Sequence, residues 1–242
     1  VQKTLQSEGL PTLPVVATKL ISLTSKEETT LADIAGVISQ DIALSSKVLK
    51  VSNSAFYSFP QQIGSIKQAV SILGTNAVRS LVLSFSFLSI KKGSAKTEFN
   101  FEKFWEKSLG AAVAAKLILE QVKDADTEEI FVAGLLQNLG ELVMARTFPV
   151  QYDSVLQTLE KEKKGSIDVE ESIFGANHSF IGAEVAKNWG FPEGLVLPIL
   201  YHHDPEKCTS KDLKIQTTVK TVYLSDLLIN ILYSEKPDEY HR

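Results

Sequence analysis

A single cysteine in 242 residues, Cys208, leaves no internal disulfide to form and fits a reducing compartment. No apolar run approaches the roughly 18 residues that a membrane-spanning helix needs. The richest stretch, Leu81 to Ile90, is far shorter and is broken by serines. The opening residues, Val1-Gln2-Lys3-Thr4, carry no apolar signal core, and a start at Val rather than Met suggests a piece trimmed from a longer chain. Alternating strand patterns, internal repeats and low-complexity tracts are also missing. These absences point to a cytoplasmic, all-helical protein with no membrane partner.

The composition is ordinary for a globular chain, with 44% hydrophobic and 22% charged residues, enough for one large core or two small ones. The net charge of −4 disfavours a dedicated nucleic-acid binder. Its distribution is uneven: residues 1–95 hold nine Lys/Arg against five Asp/Glu, and the remainder sixteen against twenty-four. That asymmetry suggests two units with different surfaces.

Helical periodicity runs throughout. Pro14 suits a first helical turn ahead of Val16, Leu20 and Leu23. Thr30 and Asp41 can cap the next two helices, and Ser65 with Gln68 spells a capping box closed by Gly74. A helix with Val78, Leu81, Val82, Phe85 and Leu88 inward precedes Lys91 to Lys96, a small, basic, aperiodic linker. Beyond it the pattern predicts a long helix over 101–122, whose Gly110-Ala111-Ala112 and Ala114-Ala115 allow close packing. One apolar helix is expected from Ile130 to Met144, then others capped by Asp168 and Asn177, one ending at His202-His203, and a last one over 215–232. An aromatic-rich loop, Asn53 to Pro60, interrupts the first half.

The informative residues are polar ones in apolar places, because a buried polar group costs several kcal/mol unless partnered (about 2–7, depending on the reference state). Gln137-Asn138 interrupts Phe131 to Leu136. Adjacent helical residues project about 100° apart, so at least one of the two faces inward. Asp226 sits within Val222 to Ile229; His178 opens a helix and His202-His203 closes one. Singly, the paired histidines read as solvated dipole partners, Gln137-Asn138 as an internal hydrogen-bonding pair, and Asp226 equally as a structural hydrogen bond or a site; together, three histidines and an acid on four helices carry more weight than any one of them.

These residues carry a resemblance. Ala133 to Leu142 resembles the segment that names the HD superfamily. Leu13-Pro14, Ile38 to Asp41, Asn53 to Tyr57, Leu73-Gly74, Phe104-Trp105 with Ser108, His178 with Gly182, Trp189 to Pro192 and Tyr201 to His203 are similar, in order, to the HDOD domain of bacterial signalling proteins. The resemblance implies an all-α, multi-helical HD-like bundle: an N-terminal helical subdomain over 1–92 and a degenerate HD-like one over 93–242, together one domain.

Catalytic HD relatives such as the HD-GYP phosphodiesterases hold metals with a first His, the HD dyad, further histidines and a final Asp. By position, Lys107 stands for the first His, Gln137-Asn138 for the dyad, His178, His202 and His203 for the further histidines, and Asp226 for the final Asp. Amides offer weak oxygen contacts and a protonated lysine repels a cation, so metal-dependent hydrolysis and any cofactor are not expected. Lys107 is expected to pair directly with Asp226 in place of a metal.

The resemblance thus implies a non-catalytic regulatory output domain acting through association with signalling proteins. Three alternatives stand beside it. The cleft could sense a small anion or nucleotide. Thr30–Val51 has helix-turn-helix spacing but a recognition helix offering only Lys47, Lys50 and small polar residues. A residual metal could sit on His178, His202, His203 and Asp226.

Overall fold

The computed structural model describes residues 15–24, 30–53, 61–75, 78, 81–82, 97–122, 127–162 and 165–233. Pro14, the loop at 54–60, Phe85, Leu88, the linker at 91–96 and His241 lie outside them. Every regular element among the described residues is a helix. The chain falls into two compact units, one within 12–90 and one built on 91–242.

In the first unit, α1 (Val15–Thr24), α2 (Leu31–Ser39), α3 (Ile42–Ser52) and α4 (Ile66–Leu73) enclose a core of Leu20, Ile34, Ile38, Val48, Ile63, Val70 and Val82. Fully burying each such side chain stabilises by about 1.5–3 kcal/mol. Thr30 forms a reciprocal box with Asp33, each side chain accepting the other's backbone N–H. Asp41 Oδ1 accepts the N–H of Leu44 at 2.9 Å. The expected Ser65 box is one-sided: Ser65 accepts the N–H of Gln68, but Gln68 accepts from the free N–H of Gly64 instead. Asn53 closes the ends of the aromatic loop, donating to the Ile63 carbonyl and accepting the Ile63 N–H.

The second unit comprises α5 (Phe101–Leu119), α6 (Thr127–Leu136), α7 (Leu139–Thr147), α8 (Pro149–Glu162), α9 (Ser166–Phe174), α10 (His178–Asn188), α11 (Glu193–Tyr201), a 3-10 turn (Pro205–Lys207) and α12 (Leu213–Leu232). Helix α6 is central, packed by α5, α11 and α12, while α7 packs against α10 and α8. Ala111, Ala112 and Ala115 are fully buried, and a Cβ on Gly134 would sit 3.0 Å from the Ala111 carbonyl, so α5 and α6 meet backbone to backbone.

Three local expectations need correction. The 130–144 segment is two helices, because the chain leaves α-helical geometry at Asn138 (φ −97°, ψ 23°). Apolar periodicity continues on both sides of that break and so conceals it. The cap of α9 is Gly165, and Asp168 lies in the first turn, where its charge complements the helix dipole. Helix α5 ends at Leu119, short of Val122.

Candidate functional site

The site forms where α6 breaks into α7 against the start of α10. A Cβ on Gly140 would land on the carbonyl of His178, and one on Gly182 would lie 2.8 Å from the Gly140 nitrogen. Only glycine at both positions permits this approach. It places Gln137-Asn138 beside His178, whose helix is capped by Asn177 accepting the N–H of Phe180. Helix α11 delivers His202 at its C-terminal cap, with His203 next.

The three imidazoles converge. His178 Nε2 lies 3.4 Å from His202 Nε2 and 2.8 Å from His203 Nε2. His178 and His202 are buried and His203 is exposed. Outer partners orient the two buried rings. His202 Nδ1 faces the Ile199 carbonyl at 2.8 Å, and a carbonyl can only accept, so Nδ1 carries the proton and Nε2 points inward as a lone pair. His178 Nδ1 donates to Glu170 Oε2 at 2.7 Å, and the same oxygen accepts the His178 backbone N–H at 2.7 Å. Burial pushes the His178 imidazole down, but the charge and hydrogen bond of Glu170, followed by Glu141 and Asp226, hold it up at about 9. Burial lowers His202, helped by the charges of His203 and His178; burial and His178 also lower His203.

Asp226 lies in a separate network on α12. Its Oδ1 accepts from Gln137 Nε2 and its Oδ2 from Asn230 Nδ2, each at 2.9 Å. Asn138 also hydrogen-bonds Asp226, which turns its amide nitrogen to the carboxylate and its Oδ1 to His202 Nε2, 3.1 Å away. Burial raises Asp226 above the usual carboxylate range, opposed by His178, Lys107 and these amides. Lys107 does not pair directly with Asp226, as expected from the sequence. Its Nζ donates to Asn230 Oδ1 at 2.9 Å, and Asn230, one helical turn beyond Asp226, passes the contact on.

The structure therefore sorts the seven singled-out residues into two linked groups: His178, His202 and His203 in one, and Lys107, Gln137 and Asp226 in the other, with Asn138 bridging them. Three further residues belong to the site. Glu170 and Glu141 sit within 4.8 Å of each other and of His178 through their donor atoms, and burial raises Glu141 to about 7. Neither carried a sequence signal, since a glutamate in an amphipathic helix reads as solvated. Asn230 did: it stands four residues after Asp226 inside the apolar run Leu227 to Leu232.

The resemblance implies a metal, and the donors present meet that requirement on one side only. Around Asp226, protein amides already engage both oxygens, and the positive charge of Lys107, held on Asn230, acts on the same carboxylate. Around the imidazoles, inward lone pairs and outer hydrogen bonds match the way ligating histidines are held. His178, His202 and His203 would hold the ion, which would supply Lewis acidity there.

A profile of the HDOD domain matches residues 10–205. An HDOD domain protein of unknown function from Geobacter sulfurreducens has a similar solved structure, with a TM-score of 0.81 and 28% identity over 96% of this chain and 76% of that one. A Marinobacter aquaeolei protein, provisionally described as a signal transduction protein, matches with a TM-score of 0.71 and 25% identity over 90% of this chain and 49% of its own. An uncharacterised Treponema pallidum protein is 26% identical over 237 residues, 96% of this chain. The chain spans only 44% of that relative's length. The helical frame, the order of the motifs and the profile match agree: the chain belongs to the HDOD family.

Proposed function

We propose that this chain is a regulatory output domain that acts by associating with signalling proteins and does not hydrolyse phosphoesters. The observation that carries this reading is the engagement of Asp226. Both of its oxygens accept hydrogen bonds from the amides of Gln137 and Asn230, and Lys107 stands behind Asn230. Hydrolysis by this class of site needs a cation at that carboxylate to activate water. Here the protein's own donors satisfy the carboxylate instead. Kinship with a protein provisionally described as a signal transducer supports the regulatory role. A cytoplasmic location fits the single cysteine, and no described helix is long and apolar enough to cross a membrane.

A small anion or nucleotide is a weaker occupant of the cleft. Asp226, Glu141 and Glu170 all act on His178, so a negative ligand would enter a field already set by three carboxylates. The deciding experiment supplies the chain with Mg2+, Mn2+ or Zn2+ in turn and measures hydrolysis of an activated phosphodiester and of cyclic dinucleotides. The expected rate equals the protein-free blank. Turnover abolished by Asp226→Ala would overturn the reading.

A further inference from the structure

We propose that the second unit carries a face, built by α5 and α12, that pairs with the same face of a second copy of this chain around a two-fold axis. This goes beyond the regulatory reading and stands independently of what the cleft holds.

Helix α12 turns its polar residues toward the protein and its aliphatic ones away. Ser225 and Asp226 are buried, and Asn230 is held on Asp226. Leu224, Leu227, Leu228 and Leu232 are exposed, Leu232 by 67%. With half-buried Ile231 they recur at i, i+3, i+4, i+7 and i+8. At about 100° per residue that spacing makes one continuous stripe along the helix. A helix normally lays such a stripe against its own core.

Beside the stripe, α5 and α12 enclose an open groove of about 950 Å³. Leu228, Leu232 and Tyr233 of α12 line it, facing Leu109, Val113 and Leu117 of α5. Leu117 is 57% exposed. Gly110 and Ala114 also line the groove, and their small side chains keep it deep. The two helices touch there, since a Cβ on Gly110 would lie 3.0 Å from the Ile229 side chain.

A leucine ridge and an apolar groove therefore lie side by side on one surface. Around a two-fold axis each patch must supply its own complement, and this one does. The ridge of either copy fills the groove of the other, as helix ridges pack into grooves within a fold.

Area and charge both favour a second copy. The six exposed leucines and Tyr233 leave roughly 600 Å² of apolar surface uncovered, at the top of the range of about 300–600 Å² for the largest patch on a typical monomer. Val113, Ile118 and Ile231, each half-buried, extend it toward the roughly 800 Å² per partner of a stable pair. Between Lys220 and Tyr233 the only charged residue of α12 is the buried Asp226, and Glu106 is the only one among the described groove residues. Such a surface gives a charge-selected partner nothing to read, and identical copies meet across it with almost no like charges opposed. Contacts between identical chains are also the more apolar class of interface.

The test is sedimentation equilibrium of the whole chain over concentrations on the order of 1 to 100 µM. Wild type should reach twice the 26.6 kDa of one chain. Leu228→Glu and Leu117→Glu should each weaken pairing by about 100-fold or more, because the two-fold axis introduces every substitution twice. Both side chains are exposed, so the helical circular dichroism signal should be unchanged. Val150→Glu, at an exposed apolar position on α8, should leave the pair intact. A wild type still monomeric at the highest concentration, or a pair indifferent to both substitutions, would overturn the proposal. So would a monomer whose unfolding temperature falls with Leu117→Glu, which would place another part of this chain in the groove.

Discussion

Replacing Glu170 with Gln removes the charge that holds His178 while keeping the shape of the side chain. Glu170 Oε2 accepts two bonds of 2.7 Å from His178, both fully buried, while Oε1 has no partner among the described residues. Hydrogen bonds to a buried charge are worth about 1.5–3 kcal/mol each, and Gln can still accept one or both through its amide oxygen. The larger loss is electrostatic. His178 is held at about 9 against an ordinary 6.5, and each unit is about 1.4 kcal/mol, so the charged pair contributes on the order of 3 kcal/mol. Because the folded value is raised, that stability is fully present below about pH 6.5 and is lost as pH rises through about 9. Glu170→Gln should therefore lower stability by about 4 kcal/mol at pH 6, charge and hydrogen bonds together, or roughly 8–16 °C in Tm for a chain of this size. The gap should shrink to about 1 kcal/mol at about pH 9.5, where only the weakened hydrogen bonds remain different. Urea unfolding of both proteins in chelator at the two pH values measures it. A gap of equal size at both, or none at pH 6, would refute the claim that Glu170 holds His178 as a cation.

Two other substitutions probe the remaining charges. Lys107→Met breaks the contact to Asn230 but leaves both hydrogen bonds to Asp226, so thermal unfolding should show a loss of only about 1 kcal/mol; a loss above about 3 kcal/mol would indicate a direct charge pair with Asp226. Burial raises Glu141 from 4.5 to about 7, so the unfolded chain ionises first and stability falls as pH rises through that window. Glu141→Gln should match wild type near pH 4.5 and gain on it by pH 8 in Tm, and parallel profiles would show that Glu141 ionises freely in the fold.

Much of this arrangement was legible from residue pattern. Apolar spacing located the helices, and Thr30, Asp41 and Asn177 marked starts that the structure places at those caps. The site residues stood out because histidines, amides and an acid interrupted apolar runs. Other features depend on distance rather than pattern. The break at Asn138 is hidden because Leu136 and Leu139 would be equally buried in an unbroken helix. Glu170 matters only because α9 delivers it under the first residue of α10, a contact no local spacing reports. Lys107 invited a direct pairing with Asp226, and Asn230 intercepts it because it shares a helix face with that acid.

The backbone contact between Gly140 and His178 has a consequence for substitutions in the site. Where two main chains touch, the separation between the dyad position and the histidine rings is a property of the scaffold, indifferent to which side chains project from it. Gln137 and Asn138, next to that contact, can therefore be exchanged for other side chains without moving the His178 backbone opposite. A single methyl group on Gly140 would therefore break the site apart whichever side chains line it.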